Sequence, residues 1–461
     1  MTVRLATSCP ACGAPVGLDA AETAVRCDRC GSAHLVLRGA ATSVAEVAGR
    51  TSEEEAKALA RAALGDEMRR RGRNGPEPVV DGVTSFEAPV RVLVARLHEA
   101  AVVRGAAGDP ESRVTARLVE AARPALRDPL GLPTAPPLGE VDARGLSTVS
   151  RRSVSAPPFD ADETAFESDA ERLSAAAAGP APSLARHAVA VPLARVLVLR
   201  PCLLVSVSSD RIGAAVLVDA AARQATGLLS RGAAESLLGE IADRRLPAAP
   251  APSLRPMRCP ECASAFPLDR QGQLRICPAC RRAFLVTGRR LLPVAYLAEL
   301  PPTPRGRVLV PAWRFEFSLE DPRDGHGLSS LAAVRSRCGE PVPEQGDDAG
   351  GVDVPAFLPA DRRRERRGTQ ELPSLPPALF PLCGGPARGE AGFPEPGFVG
   401  ALGPGEAASV VRHALLAALG PPTVARASAR RLKALLFDAP LRLGAPHLVL
   451  RALRRTEIEP S

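Results

Sequence analysis

The chain has 461 residues, 45% of them hydrophobic and 24% charged, and a formal charge of +8. That apolar content excludes a wholly disordered chain, and the length suggests roughly two to four domains. Aromatic residues make up only 3%, so the core must be built from Ala, Val and Leu; lysine is confined to Lys57 and Lys433, and an arginine excess that replaces lysine throughout is weak evidence for a nucleic-acid partner.

Residues 1–38 hold Cys9, Cys12, Cys27 and Cys30 and form a first cysteine module. The stretch 39–128 reads as a helical region. Ser52 with Glu55 makes a capping box, Glu53 and Glu54 suit the positive end, and Arg69, Arg70 and Arg71 close the helix before Gly72. The run 90–94 fits strand or helix alike. Asp109-Pro110-Glu111 opens a second expected helix, with Val114, Leu118 and Ala121 as its apolar stripe. A Pro-, Gly- and Ser-rich linker follows at 129–158.

Residues 159–245 read as an α+β domain: a helix over 163–178, a β-rich stretch over 188–218 whose last two strands are joined by a turn at 209–213, and a helix capped by Ser230. A second linker, 246–256, leads into 257–290, which holds Cys259, Cys262, Cys277 and Cys280. Residues 291–338 are β-rich, and 339–375, dominated by Pro, Gly and charge, is expected as a flexible loop. The C-terminal α+β segment, 376–461, contains an amphipathic helix over 406–419 stopped by Gly420-Pro421. A second helix over 423–437 carries Arg426, Arg430, Arg431 and Lys433, and a hairpin is expected around Gly444-Ala445-Pro446. The most apolar region, 188–218, is broken by Arg195, Arg200, Asp210 and Arg211, short of the roughly 20 apolar residues a membrane helix needs. The expected fold class is α+β multidomain: two four-cysteine ribbons, each followed by mixed strands and helices, with Pro-rich linkers.

The cysteine pattern is Cys-x2-Cys, fourteen intervening residues, then Cys-x2-Cys, and it occurs twice. Adding 250 to each cysteine number of the first module gives the second, and Leu18, Asp19, Leu35 and Val36 map on Leu268, Asp269, Leu285 and Val286. Two cysteines three apart on a tight knuckle turn both sulfurs to one point, and two knuckles close a tetrahedron around an ion at about 2.3 Å. Gly13 and Gly31 follow the knuckles of the first module; Ala263 and Arg281 take those places in the second, which puts its fine geometry in question. Cys9-Pro10-Ala11-Cys12-Gly13 with Cys27-Asp28-Arg29-Cys30-Gly31, and Cys259-Pro260-Glu261-Cys262 with Cys277-Pro278-Ala279-Cys280, resemble the zinc-ribbon and rubredoxin-like superfamily over about thirty residues each. The resemblance implies two structural zinc ions held by the eight cysteines; iron would use the same sulfurs. Four thiolates leave no open position for catalysis. The segment Pro311-Ala312-Trp313-Arg314-Phe315 is similar to segments of bacterial zinc-ribbon proteins.

Paired CxxC motifs without a secretory leader point to a reducing, cytoplasmic setting and thiolate ligands, not disulfides. Trp313 reads as an anchor of an aromatic-poor core and Cys202 as a buried small hydrophobe. Six histidines are scattered, with His34 expected on the ribbon surface, and Asp321, Asp324 and His326 read as a solvated turn. No nucleophile–base motif is found. Residues 255–290 carry eight arginines against Glu261 and Asp269, whereas 1–38 is nearly balanced. The leading expectation is a non-catalytic zinc-binding adaptor that engages protein partners, with no membrane and no small-molecule substrate. The alternative is a weak nucleic-acid binder using Arg281, Arg282, Arg289 and Arg290 with the 423–437 helix, and an enzyme with structural zinc ranks third.

Overall fold

A computed structural model describes residues 4–19, 21–37, 43–47, 51–72, 77–104, 110–124, 146–148, 163–177, 184–209, 212–221, 223–242, 252–268, 272–288, 290–299, 307–339, 351–356, 369–371, 382–384 and 402–454. The first ribbon is β1 (Arg4–Ser8), β2 (Pro15–Asp19), β3 (Ala24–Arg26) and β4 (Ala33–Leu37). Next come β5 (Ser43–Val47), α1 (Glu53–Arg70), β6 (Val79–Arg104), β7 (Pro110–Pro124), β8 (Leu146–Thr148), α2 (Glu163–Ala177), β9 (Ala185–Ser209), β10 (Ile212–Asp219), β11 (Gln224–Ser230) and α3 (Arg231–Ala242). The second ribbon spans β12 (Ser253–Pro256), β13 (Leu274–Ile276), β14 (Ala283–Val286) and β15 (Leu291–Val294). The C-terminal unit contains β16 (Tyr296–Glu299), β17 (Arg307–Phe315), β18 (Phe317–Glu320), β19 (Gly327–Leu328), α4 (Leu331–Arg337), β20 (Val352–Pro355), β21 (Thr369–Glu371) and β22 (Leu382–Gly384). It ends with α5 (Pro404–Ser409), α6 (Val411–Arg426), α7 (Ala429–Leu432, continued by a π-helical turn, Lys433–Asp438), β23 (Leu441–Leu443) and β24 (His447–Arg454).

Two very long strands organise the molecule. β6 pairs antiparallel with β9 from Val79↔Ser208 to Val102↔Ala185, and the large sheet runs β11-β10-β9-β6-β7-β21 with β5 beside β9. Alternation along β6 sorts its neighbours. Phe86 and Ala88 pack with Ala234 and Leu237 of α3. Val90, Val92 and Val94 pack with Cys9, Val16, Val25 and Val36 of the first ribbon. Ala100 and Val102 join the core of the C-terminal unit, with Leu415 and Leu419. Those even-numbered residues share one face, so α3, the first ribbon and the C-terminal unit stand in a row on it. On the other face Leu93, Ala95 and Leu97 meet Phe166 and Ala170 of α2, and Val205, Val207, Val216 and Val218 meet α1. α1 is built as its sequence dictates: Ser52 Oγ accepts from Glu55 N at 3.2 Å, and Ala56, Ala60, Leu64 and Met68, four apart, form the buried stripe.

Several elements differ from the sequence expectation. The helix expected from Asp109 is strand β7, paired with β6 from Arg104↔Pro110 to Val90↔Pro124. Val114 and Ala116 face in while Glu111, Arg113 and Arg117 face out, a period of two that the partner strand selects over the local capping signal. The helical region 39–128 is therefore mostly β beyond α1. The expected loop 339–375 contains β20 and β21, which gain ladder partners on β17 and β7. The helix expected to stop at Gly420-Pro421 runs on to Arg426, and the break falls at Ala427, whose backbone is extended. The strands around Gly444 do not form a hairpin: β23 pairs with β18, and β24 lies between β17 and β16. Most of the linker at 129–158 lies outside the described residues.

The C-terminal sheet has the order β20-β17-β24-β16-β22. Trp313 is buried at its centre and its Nε1 donates to Leu402 O at 3.0 Å, which gives this aromatic the anchoring role expected of it. Arg451 is buried between Glu299, at 2.9 Å, and Asp353, which also accepts two bonds from Arg314 at 2.7 and 2.8 Å. The two halves of the chain interlock. β12, on the way into the second ribbon, is the third strand of the first ribbon's β3-β4 sheet, paired from Leu37↔Ser253 to His34↔Pro256. No helix among the described residues is long and apolar enough to cross a membrane.

Candidate metal centre

Each ribbon brings its two knuckles together in the same way. Cys9 N bonds Ala14 O at 2.8 Å and Gly13 N bonds Cys9 O at 2.8 Å; in the second ribbon Cys259 N bonds Ser264 O at 2.8 Å and Ala263 N bonds Cys259 O at 2.9 Å. The other knuckles repeat this, Gly31 N to Cys27 O and Arg281 N to Cys277 O, both at 2.8 Å. Gly13 and Gly31 sit at φ of +70° and +71°, and Ala263 and Arg281 adopt φ of +59°. Losing the glycines thus leaves the knuckles unchanged and places two side-chain-bearing residues in the left-handed region.

The knuckles gather two groups of four sulfurs, Cys9, Cys12, Cys27 and Cys30, and Cys259, Cys262, Cys277 and Cys280, each group within 4.8 Å. Cys9–Cys30 and Cys12–Cys27 are 3.7 Å apart, Cys259–Cys280 is 3.6 Å and Cys262–Cys277 is 3.4 Å. Four sulfurs about 2.3 Å from one tetrahedral ion stand about 3.8 Å apart, whereas a disulfide needs about 2.05 Å. The eight thiols therefore fit two metal ions, and each group can hold one. In each site two cysteines are buried, Cys9 with Cys27 and Cys259 with Cys277, and two lie toward the rim.

Nearby donors favour the thiolate form at Cys9, Cys30 and Cys262, whereas burial raises Cys259 and Cys277, and burial with the neighbouring thiols raises Cys12. The Ser264 hydroxyl and its backbone N–H hold the Cys262 thiol down to about 6. At Cys9 desolvation opposes ionisation, but the Ser32 hydroxyl and the backbone N–H groups of Ala11 and Cys12 bring it down to about 5. His34 belongs to this shell. It was expected on the surface, yet it is buried, with Nε2 3.4 Å from Cys9 Sγ and 2.7 Å from Ser32 Oγ, which is itself 2.9 Å from Cys30 Sγ. Its correspondence with Phe284, a core residue, was the available sign of an inward direction.

The arginines named for nucleic acid are not equivalent. Arg281 is half-buried in the second ribbon's last knuckle, and its carbonyl accepts the Tyr296 hydroxyl at 2.8 Å. Arg282 pairs with Glu261 at 2.9 Å, Arg290 is exposed, and Arg289 lies outside the described residues. Arg275, counted in the same basic stretch, is fully buried and reaches Thr23 Oγ1 at 3.2 Å. Asp321 and Asp324 accept backbone N–H groups of Arg323 and His326 and pair with Arg337, as a capped turn does. Burial pushes the Cys202 thiol up, consistent with an inert core residue.

Sequence reasoning missed one further cluster. His98 on β6, His187 on β9 and His413 on α6 are far apart in the chain but meet where the C-terminal helices dock on the large sheet. His187 Nδ1 is 2.9 Å from His413 Nε2, and Glu406 of α5 receives Arg96 Nη1 at 2.7 Å and lies 3.0 Å from His98 Nε2. Among the described residues only the two cysteine groups bring three or more ligand atoms together, and the histidine cluster joins the large sheet to the C-terminal helices through its hydrogen bonds. Comparison with family models, with curated proteins and with solved structures finds no match to this chain, and its function must be read from its own residues.

Proposed function

We propose that the chain is a non-catalytic adaptor of a reducing cytoplasm, stabilised by two zinc ions and presenting its surfaces to protein partners. One observation carries the reading: both four-thiolate groups are closed and built into packing contacts. Cys9 and Cys27 lie against the sheet valines Val90, Val92 and Val94, and Cys259 and Cys277 lie in a core shared by both ribbons. Zinc bound by four thiolates has no position left for water or substrate and supplies folding energy. The second ribbon also has little to stack on a base. Phe266 and Phe284 are buried edge to face at 5.9 Å, and Tyr296 is engaged with Arg281.

The test has two parts. Purified under reducing, metal-replete conditions, the protein should contain two zinc ions per chain, and Cys27→Ser or Cys277→Ser should each lose one; one ion or none in the native chain refutes the metal assignment. Labelled DNA and RNA titrated at about 150 mM salt should bind weakly and without sequence preference. Submicromolar binding that falls in Arg281→Glu/Arg282→Glu would make nucleic acid the partner and retire the adaptor.

A further inference from the structure

The helical turn after Ala427 carries arginines that neither the metal sites nor the ribbons use. Arg430 and Arg431 line an open cavity of about 390 Å³ together with Arg323 from the turn after β18, Arg337 of α4, Ser428 and one carboxylate, Asp321. Arg337 is committed to carboxylates, 3.4 Å from Asp321 and 2.9 Å from Asp324. Lys433, on the same helical turn, is paired with Asp438 at 3.0 Å. Arg323, Arg430 and Arg431 have no carboxylate partner among the described residues, and the cavity's Asp321 is paired with Arg337, so three unneutralised arginines line one concavity. Ser428 Oγ accepts from Arg431 N at 3.3 Å, which leaves its O–H available to donate. Pro322, Ala434 and Leu435 supply an apolar wall.

We propose that this pocket binds a dianionic phosphate monoester. The charge count selects the ligand class. A carboxylate is satisfied by one guanidinium fork, whereas a tetrahedral dianion offers three terminal oxygens to several. A nucleic-acid strand needs cations tracking successive phosphates, whereas these arginines line a single cavity. The apolar wall suits a phosphate carried on an organic group. This inference is independent of the metal sites and goes beyond the adaptor reading.

The experiment is calorimetric titration of the full-length, metal-loaded protein at pH 7.5, where a monoester is largely dianionic, with inorganic phosphate, phenyl phosphate, benzoate and a single-stranded oligonucleotide as probes. Both phosphate probes should bind and benzoate should not. Phenyl phosphate the tighter would support an organic monoester as the ligand, and equal affinities would overturn the monoester in favour of the free ion. Arg430→Gln/Arg431→Gln should weaken both about tenfold or more, and Arg323→Gln, on a separate element, should do the same, while Arg282→Gln should leave them unchanged. Absence of phosphate binding at about 10 mM overturns the proposal, since such affinity would be below even weak specific binding. So does binding indifferent to both sets of variants, or an oligonucleotide that binds more tightly than phosphate and is weakened by them. Melting temperatures and zinc content of the variants establish that they fold.

Discussion

Ala263 and Gly13 occupy the same point of the knuckle, at φ of +59° and +70°. The left-handed region costs an L-residue about 1–2 kcal/mol, and glycine returns part of that through its larger unfolded-state entropy. A Cβ on Gly13 would meet nothing within 4 Å, so only the backbone term operates there. Ala263→Gly should therefore stabilise the second ribbon by about 0.5–1 kcal/mol, and Gly13→Ala should destabilise the first by about as much. Denaturant midpoints followed by zinc release would show both; a destabilised Ala263→Gly would mean that the left-handed knuckle is not strained. At this scale the two groups of four cysteines are legible in the sequence because a knuckle is local: spacing alone fixes which sulfurs meet. His34 is not, because its inward direction is set by pairing of β4 with β3 and β12, and β12 lies more than two hundred residues away. The convergence of Arg323 with Arg430 and Arg431 is hidden for the same reason.

At the scale of elements, α1, α2 and α3 are readable from caps and spacing, and β7 is not. Its N-terminal Asp109-Pro110 pair looks like a helix start, and only the long partner β6 reveals a strand. The histidine cluster likewise exists only once β6, β9 and α6 dock, and it gives that docking a pH dependence. Burial, then the neighbouring His187, His98 and Arg412, holds His413 well below the usual histidine range, and burial with Arg412 lowers His187. Folded histidines with depressed values contribute stability that is complete above their unfolded value of about 6.5 and is lost as pH falls below it, because the unfolded chain then takes up protons that the folded chain does not. Glu406 is held low by Arg96 and His98 against the opposing effect of burial, so its contribution persists until pH falls below about 4.3. Thermal unfolding should thus lose stability as pH falls below about 6.5, by up to about 1.4 kcal/mol per pH unit for each proton, and His413→Leu should flatten that slope. An unchanged slope in the variant would remove the cluster as its source.

Across the whole molecule the two ribbons are one body with a shared interior. Ala24, Leu35 and Leu37 of the first pack with Met257, Phe266, Phe284, Cys259 and Cys277 of the second. Thr23 Oγ1 donates to Gly272 O at 2.7 Å, Met257 N donates to Ala33 O at 3.2 Å, and β12 completes the first ribbon's sheet. A ribbon is too small to fold on its own apolar area, so a metal held by its four thiols would supply the missing free energy, and here part of that area is borrowed from the neighbour. Loss of the second metal should therefore loosen the first ribbon, while the far end of the large sheet, held by α1 and α3 on opposite faces in cores of its own, should feel it least. Hydrogen exchange on Cys277→Ser should rise in β13 and β14 and also in β3, β4 and β12, and should stay at the native rate in β10 and β11. If the increase stopped at β13 and β14, with the first ribbon's amides as protected as before, the shared core would be passive contact and the two metal sites independent. The reciprocal variant, Cys27→Ser, separates the two routes of transmission: it should release the second ribbon through the same core and, in addition, expose β6 near Val90 and Val92, where the first site packs directly on the sheet.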